Sequence, residues 1–129
     1  MRSIPKSIPK MKPHVKAIWV KALRSGKYQQ CKGALRKRKE MGDEEQDYFC
    51  VLGVLVAEYI RVKRIKESHE IEELFSWGSL PIVVQEWAGF TMGNPILRLV
   101  EHHVERAIHL NDSERLSFKR LATLIEKNL

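Results

Sequence analysis

Three stretches of this 129-residue chain carry apolar residues at helical spacing. After Pro13, the residues Val15, Ile18, Trp19 and Ala22 fall at i, i+3, i+4 and i+7, and the stripe ends at Ser25-Gly26, where glycine can take the left-handed turn that closes a helix. Phe118, Leu121, Ala122 and Ile125 repeat that spacing behind Ser117, whose hydroxyl suits an N-cap. Between them, VLGVLVAEYIRVKRIK is almost continuously apolar up to Arg61. Its length predicts a buried helix starting near Val51 at the centre of the core, with Arg61, Lys63, Arg64 and Lys66 running out into solvent.

Shorter patterns fill the intervals. YQQCKGALRKRKEMGDEEQDYFC places a basic run, a Met-Gly turn and an acidic run in succession, which predicts a hairpin with strands over 33–38 and 46–50. Arg36 and Lys37 are then expected to approach Asp43, Glu44 and Glu45 across the turn, neutralising much of the basic run internally. SHEIEELFSWG reads as a short helix or ordered loop capped by Ser68, with Glu70 in the first turn and Phe75 and Trp77 folding inward. SLPIVVQEWAGF offers Ser79 as N-cap, Pro81 in the first turn, Ile82, Val83 and Trp87 along one buried face, and Gly89 as terminator. Over 96–109 two readings stand: a helix through Leu97, Val100, Val104 and Ala107, or two strands over 96–100 and 104–108. A turn at LND then leads into the last helix. The fold class expected is α+β, a helix-rich compact single domain over 13–129 with a small β-hairpin or antiparallel sheet. Ahead of it, the tandem SIPK repeat predicts a flexible basic arm over 1–12, because its prolines remove backbone donors and bias their neighbours away from helix.

No apolar run reaches the roughly 18 residues of a membrane span, and the basic N-terminus lacks the apolar stretch of a secretory signal, so a location in the host-cell cytoplasm and no membrane partner are expected. Cys31 and Cys50 lack CxxC spacing and are expected as free thiols. No cofactor is implied. His102, His103 and His109 with Glu105 invite a metal reading, but HHxxE is not the HExxH pattern and no three-ligand set is assured, so no metal site is expected. Without a GxSxG elbow, a glycine-rich phosphate loop or a cysteine with a sequence-local histidine, the expectation is a protein that binds and does not catalyse.

Charge narrows what it binds. Residues 1–40 hold thirteen Lys and Arg against Glu40 alone, residues 41–80 are net acidic, and residues 81–129 are balanced, within an overall +7. A basic front half on a neutral-to-acidic body favours an anionic partner, because neighbouring positive fields add. The candidate binding residues are Lys16, Lys21, Arg24, Lys27, Lys32, Arg36, Lys37 and Arg38, with Lys39 completing the 36–39 run. LNDSERLSFKRLATLIEKNL looks like the first half of a helix-turn-helix, but no recognition helix follows Leu129 here, so that mode of base reading is not expected. Trp19 is expected as a core anchor and not as a platform for stacked bases.

WVKALRSGKYQQCKGALR at 19–36, FCVLGVL at 49–55 and LNDSERLSFKRLATLIEKNL at 110–129, with VVQEWAGF and NP between them, resemble a group of small phage and mobile-element proteins with W..ALRSG.Y.Q..G.LR, FC.LGVL and LND...SF..IA..IE motifs. The chain departs from that pattern with Val51 where a second cysteine is usual and Glu114-Arg115-Leu116 where a glycine turn is usual. The resemblance implies a compact α+β unit rather than a known activity; taken with the absence of catalytic motifs, it leads to the expectation of an accessory protein that binds a host protein or nucleoprotein complex, in the manner of an inhibitor of a CRISPR effector. A mimic of DNA would be acidic, so this chain would have to work through its basic surface. The alternative is direct, sequence-tolerant binding of DNA or RNA. A homodimer through Phe75, Trp77 or Trp87 is also compatible with the composition.

Overall fold

A computed structural model describes residues 11–100 and 103–129. It is a helix-rich α+β unit built around α2 (Val51–Lys63), and residues 51–56 of that helix are all buried. Cys50 caps it, its sulfur accepting from the Gly53 amide at 3.4 Å. Arg64, at φ 56°, ends it in the left-handed conformation, and around this end Arg61, Lys63, Arg64 and Lys66 are exposed as their charge requires.

Helix α1 (Pro13–Arg24) lies against α2 and is tied to it where the indole N–H of the fully buried Trp19 donates to the Val51 carbonyl at 2.9 Å. It begins at a proline and closes at Ser25-Gly26, with Gly26 at φ 76°. The packed body extends one step earlier than Pro13: Met11 is buried, and the Lys12 amide donates to the Ala88 carbonyl at 2.8 Å. Residues 1–10 of the basic arm lie outside the described residues.

The hairpin forms, but shifted towards the turn. Strand β1 (Gln29–Gln30) pairs in parallel with β3 (Glu44–Phe49), which pairs antiparallel with β2 (Arg36–Met41), so the sheet order is β1-β3-β2. Gly33, at φ 81°, bends the chain before the strand begins, and Leu35 turns into the core with its carbonyl accepting from the Cys50 amide. At the other end Gly42, at φ 68°, opens a two-residue Gly-Asp turn that lets Glu40 and Met41 pair with Glu45 and Glu44. The register therefore corrects the expected ion pairs. Arg36 stands opposite Phe49 and Lys37 opposite Tyr48, while the acids next to the turn meet Arg38: its Nε lies 2.8 Å from Asp47 Oδ1 and its Nη1 3.5 Å from Glu45 Oε2.

Four further expectations are corrected. Helix α3 (Ser68–Phe75) starts at Ser68 with Glu67 at the cap and no capping side-chain bond; Phe75 is half-buried against Phe49, whereas Trp77 is 59% exposed. Helix α4 (Ile82–Ala88) is preceded by Pro81 in the cap position, not Ser79, and its buried face runs through Leu80, Val84 and Ala88. With its phase set that way, Ile82 and Val83 point outward at 70% and 46% exposure, and Trp87 packs edge-on to Tyr59 at 5.4 Å. Gly89 closes α4 at φ 86° as its position predicts.

The ambiguous 96–109 stretch resolves as β4 (Ile96–Val100) paired antiparallel with β5 (His103–Arg106), followed at once by α5 (Ala107–Asp112). Leu110, Asn111 and Asp112 thus form the end of a short helix and not a separate turn. Helix α6 (Phe118–Asn128) is capped by the Ser117 hydroxyl, which accepts from the Arg120 amide, and it buries Phe118, Leu121, Ala122 and Ile125 along α1. The stripe read from the sequence is the buried one.

Candidate functional site

A strand alternates its side chains between two faces, so the run RKRKE sorts itself by residue type. Arg36, Arg38 and Glu40 project to one face of the sheet with Glu45, Asp47 and Phe49; Lys37 and Lys39 project to the other with Glu44, Gln46 and Tyr48. On the arginine face both cations are compensated by acids. Arg36 pairs with Glu72 of α3 and lies 4.4 Å from the centre of the Phe75 ring, and Arg38 is held by Asp47 and Glu45. Hydrogen bonding to Asp47 raises the Arg38 pKa further above its ordinary value.

The lysine face opens instead onto a cleft of about 450 Å³ between the sheet, the loop after β1 and the turn that joins α5 to α6. Lys32, Lys37, Lys39 and Arg115 line it, with Cys31, Tyr48 and Asn111 among the walls. All four cations are exposed, and among the described residues none of them makes an ion pair. Lys39 Nζ sits 4.8 Å from the centre of the Tyr48 ring, which fixes its charge above an aromatic face.

A buried polar bracket sets the shape of this cleft. Asn111, fully buried, accepts on Oδ1 from the Val51 amide at 3.0 Å and from Gln30 Nε2 at 2.9 Å, and donates from Nδ2 to the Cys31 carbonyl at 2.9 Å and to Asp112 Oδ1 at 2.7 Å. Gln30 Nε2 also reaches the Leu116 carbonyl at 2.8 Å, and the Gly33 amide donates to Asp112 Oδ2 at 3.1 Å. One asparagine thus joins the start of α2, the β1 loop and the α5 end. Asp112 spends both carboxylate oxygens inside this bracket. Arg115 reaches the cleft from a left-handed backbone at φ 55°, which costs a non-glycine residue on the order of 1 kcal/mol.

The Cys31 thiol is pushed above its ordinary pKa, chiefly by burial, although the neighbouring Lys37 opposes the shift. It is therefore a neutral wall group at neutral pH. Cys50 is pushed up to about 11 by burial. Both cysteines are free.

The remaining predicted binding residues lie elsewhere. Lys16, Lys21 and Arg24 border a groove between α1 and α6, where Arg24 holds Glu126 through contacts of 2.9 and 3.3 Å and Lys16 Nζ lies 3.4 Å from the Glu126 carbonyl. Arg24 holds the Glu126 carboxyl below its usual range. Lys27 stands 5.6 Å from the Tyr28 ring centre, beside a third, smaller pocket of about 370 Å³. Of the eight candidate binding residues, only Lys32 and Lys37 meet in the cleft, joined by Lys39 from the same run. Arg115 was missed.

Trp19 is enclosed in the core, leaving Tyr48 as the aromatic ring of the cleft. Of the histidines considered as ligands, His102 lies outside the described residues, as do the side chains of His103 and Glu105. His109 faces Glu114 at 3.4 Å, and among the described residues no three His, Cys, Asp or Glu side chains converge as a metal set. No helix among them is long and apolar enough to cross a membrane.

The geometry is that of an α+β unit with a cleft whose four cations make no ion pair among the described residues. The profile of a family described as a domain of unknown function (DUF8296) matches residues 11–129, and the chain belongs to that family. No curated protein and no solved structure matches it.

Proposed function

We propose that this protein is a non-enzymatic binding protein that engages nucleic-acid phosphates, in a sequence-tolerant way, through the cleft of Lys32, Lys37, Lys39 and Arg115. The observation that carries this reading is the sorting of the basic run: the arginines are consumed by acids on one face, and the lysines are left uncompensated on the other. Four clustered cations in a concave site reinforce one another's potential, and phosphate is the ligand that rewards such clustering. Binding is measured with labelled single- and double-stranded DNA and RNA across a salt series. Four phosphate contacts give a log–log salt slope of about −3 to −4, a loss of affinity of roughly a hundredfold between 50 and 200 mM salt. The pair Lys37→Glu and Lys39→Glu should abolish binding, while Lys16→Glu with Lys21→Glu should weaken it much less. Binding that ignores salt, or survives the cleft reversal, overturns the proposal.

The resemblance to phage and mobile-element proteins supports a more particular setting, in which the nucleic acid belongs to a host defence nucleoprotein complex. The cleft would then occupy phosphates that the complex needs for its own work, as an anti-CRISPR protein could. Capture of such a complex from host extract by the wild-type chain, lost in the cleft reversal, is the expected result. Equal capture by both chains would reject this setting.

A further inference from the structure

The apolar side chains that escape burial are not scattered. Among the described residues the large ones standing exposed are Val62, Trp77, Ile82 and Val83. Trp77, Ile82 and Val83 line one groove of about 500 Å³ beside α3 and α4, and Tyr59, also in its wall, lies one turn before Val62 on the same side of α2. An apolar patch gathered in this way marks a protein–protein contact. Its rim carries both signs of charge. Glu70 and Glu73 of α3 border the groove as acids, whereas Ile65 borders it between Arg64 and Lys66, and Lys63 follows Tyr59 by one turn. These five charged side chains are exposed, and among the described residues none of them makes an ion pair.

We infer that this patch is the interface of a symmetric homodimer, in which a second copy of the chain covers the groove. Charge selects that occupant. A membrane of anionic lipid or a nucleic-acid backbone is repelled by Glu70 and Glu73, and a uniformly basic segment is repelled by Lys63 and Lys66. A surface that holds its cations and its acids in separate places matches its own copy. The separation follows the chain: the cations stand where α2 gives way to α3, the acids lie further along α3, and Trp77 comes after its last turn. A two-fold rotation reverses that order on the second copy. Glu70 and Glu73 then meet the partner subunit's Lys66 and Lys63, and Trp77 reaches the partner subunit's Tyr59 and Val62. Each contact occurs twice, as an isologous interface requires. The charged pairs at the rim set the register, and the apolar centre supplies the affinity.

Sedimentation equilibrium of the full chain, from micromolar to millimolar concentration, reads the assembly. A dimer that forms as concentration rises is expected. Ile82→Asp, at a position turned outward from the core, should raise the dissociation constant roughly thirtyfold or more while leaving the circular dichroism spectrum unchanged. Lys63→Glu with Lys66→Glu should give monomers, and so should Glu70→Lys with Glu73→Lys, because each pair of changes sets like charges against each other across the two-fold axis. Mixed in equal amounts, the two double variants should regain the dimer, since every acid again meets a cation. That recovery distinguishes pairing across an interface from a variant that has lost its fold. A monomer at every concentration overturns the inference and leaves the groove to a protein of different sequence. So does a dimer that survives Ile82→Asp, or one that is indifferent to both charge reversals.

Discussion

Replacing Gly53 by alanine opposes two physical effects whose difference the structure decides. Alanine is the better helix former by about 1 kcal/mol, and Gly53 sits in the third position of α2, so propensity alone predicts a more stable protein. A Cβ at that position would lie 1.8 Å from the Leu35 carbonyl oxygen and 2.8 Å from its carbon. Both are backbone atoms, so no side-chain rotation relieves the overlap, and the two segments must part by more than about 1 Å. Leu35 is buried, and its carbonyl holds the Cys50 amide at 3.1 Å, so parting them costs about 1 kcal/mol of hydrogen bonding and roughly 1–3 kcal/mol of strained packing. After the gain in propensity, a net loss of about 2 kcal/mol remains. Urea unfolding followed by circular dichroism reads it directly: with a slope of about 2 kcal/mol per molar, the midpoint should fall by about 1 M. Gly78→Ala, where a Cβ meets nothing within 4 Å, is the matched control and should leave the midpoint in place. A Gly53→Ala midpoint at or above wild type would refute the reasoning, because it would mean that Leu35 does not press on the helix.

Two other substitutions address the site and the core. Burial raises Cys50 from 9.0 to about 11, so an unfolded chain releases this proton before the folded one does; the stability is fully present below pH 9 and is lost as pH rises towards 11, by about 2–3 kcal/mol. Unfolding midpoints of wild type and Cys50→Ala at pH 8 and 10.5 check this, the variant showing the smaller decline. Arg115→Gly relieves the left-handed backbone but removes a cleft cation, so stability should change by less than about 1 kcal/mol while the salt slope of nucleic-acid binding flattens by about 0.7–0.9.

The parts of the fold that were legible are those whose burial is set along one long element. Val15, Trp19 and Ala22 in α1, and Phe118, Leu121, Ala122 and Ile125 in α6, each give several turns of consistent spacing, and the core covers that face. Helix α4 has only seven residues, too few to define its own buried side. Leu80, outside the helix, sets the phase through Val84 and Ala88, and Ile82 and Val83 are turned out as a result. The hairpin was readable as a pairing of basic and acidic runs, but its register depends on Gly33 and Gly42, whose backbone conformations composition does not specify. Half of the cleft was within reach of the sequence: once RKRKE is a strand, period-two alternation alone separates Arg36 and Arg38 from Lys37 and Lys39. Arg115 was not, because its place beside Lys37 depends on Asn111 bracketing three distant segments.

The sorting of the basic run makes the protein sensitive to a kind of change that leaves its composition almost untouched. Deleting Ala34, ahead of β2, would not alter the net charge at all. If the strand took up the loss by sliding one place against β3, every side chain would exchange faces. Arg36 and Arg38 would enter the cleft as forked, planar donors, and Lys37 and Lys39 would inherit the carboxylates of Asp47 and Glu72. Two chains of equal isoelectric point would then present different ligands to the same phosphate. A one-residue length change between the first helix and the hairpin would thus exchange which cations line the cleft while leaving the charge of the chain as it was.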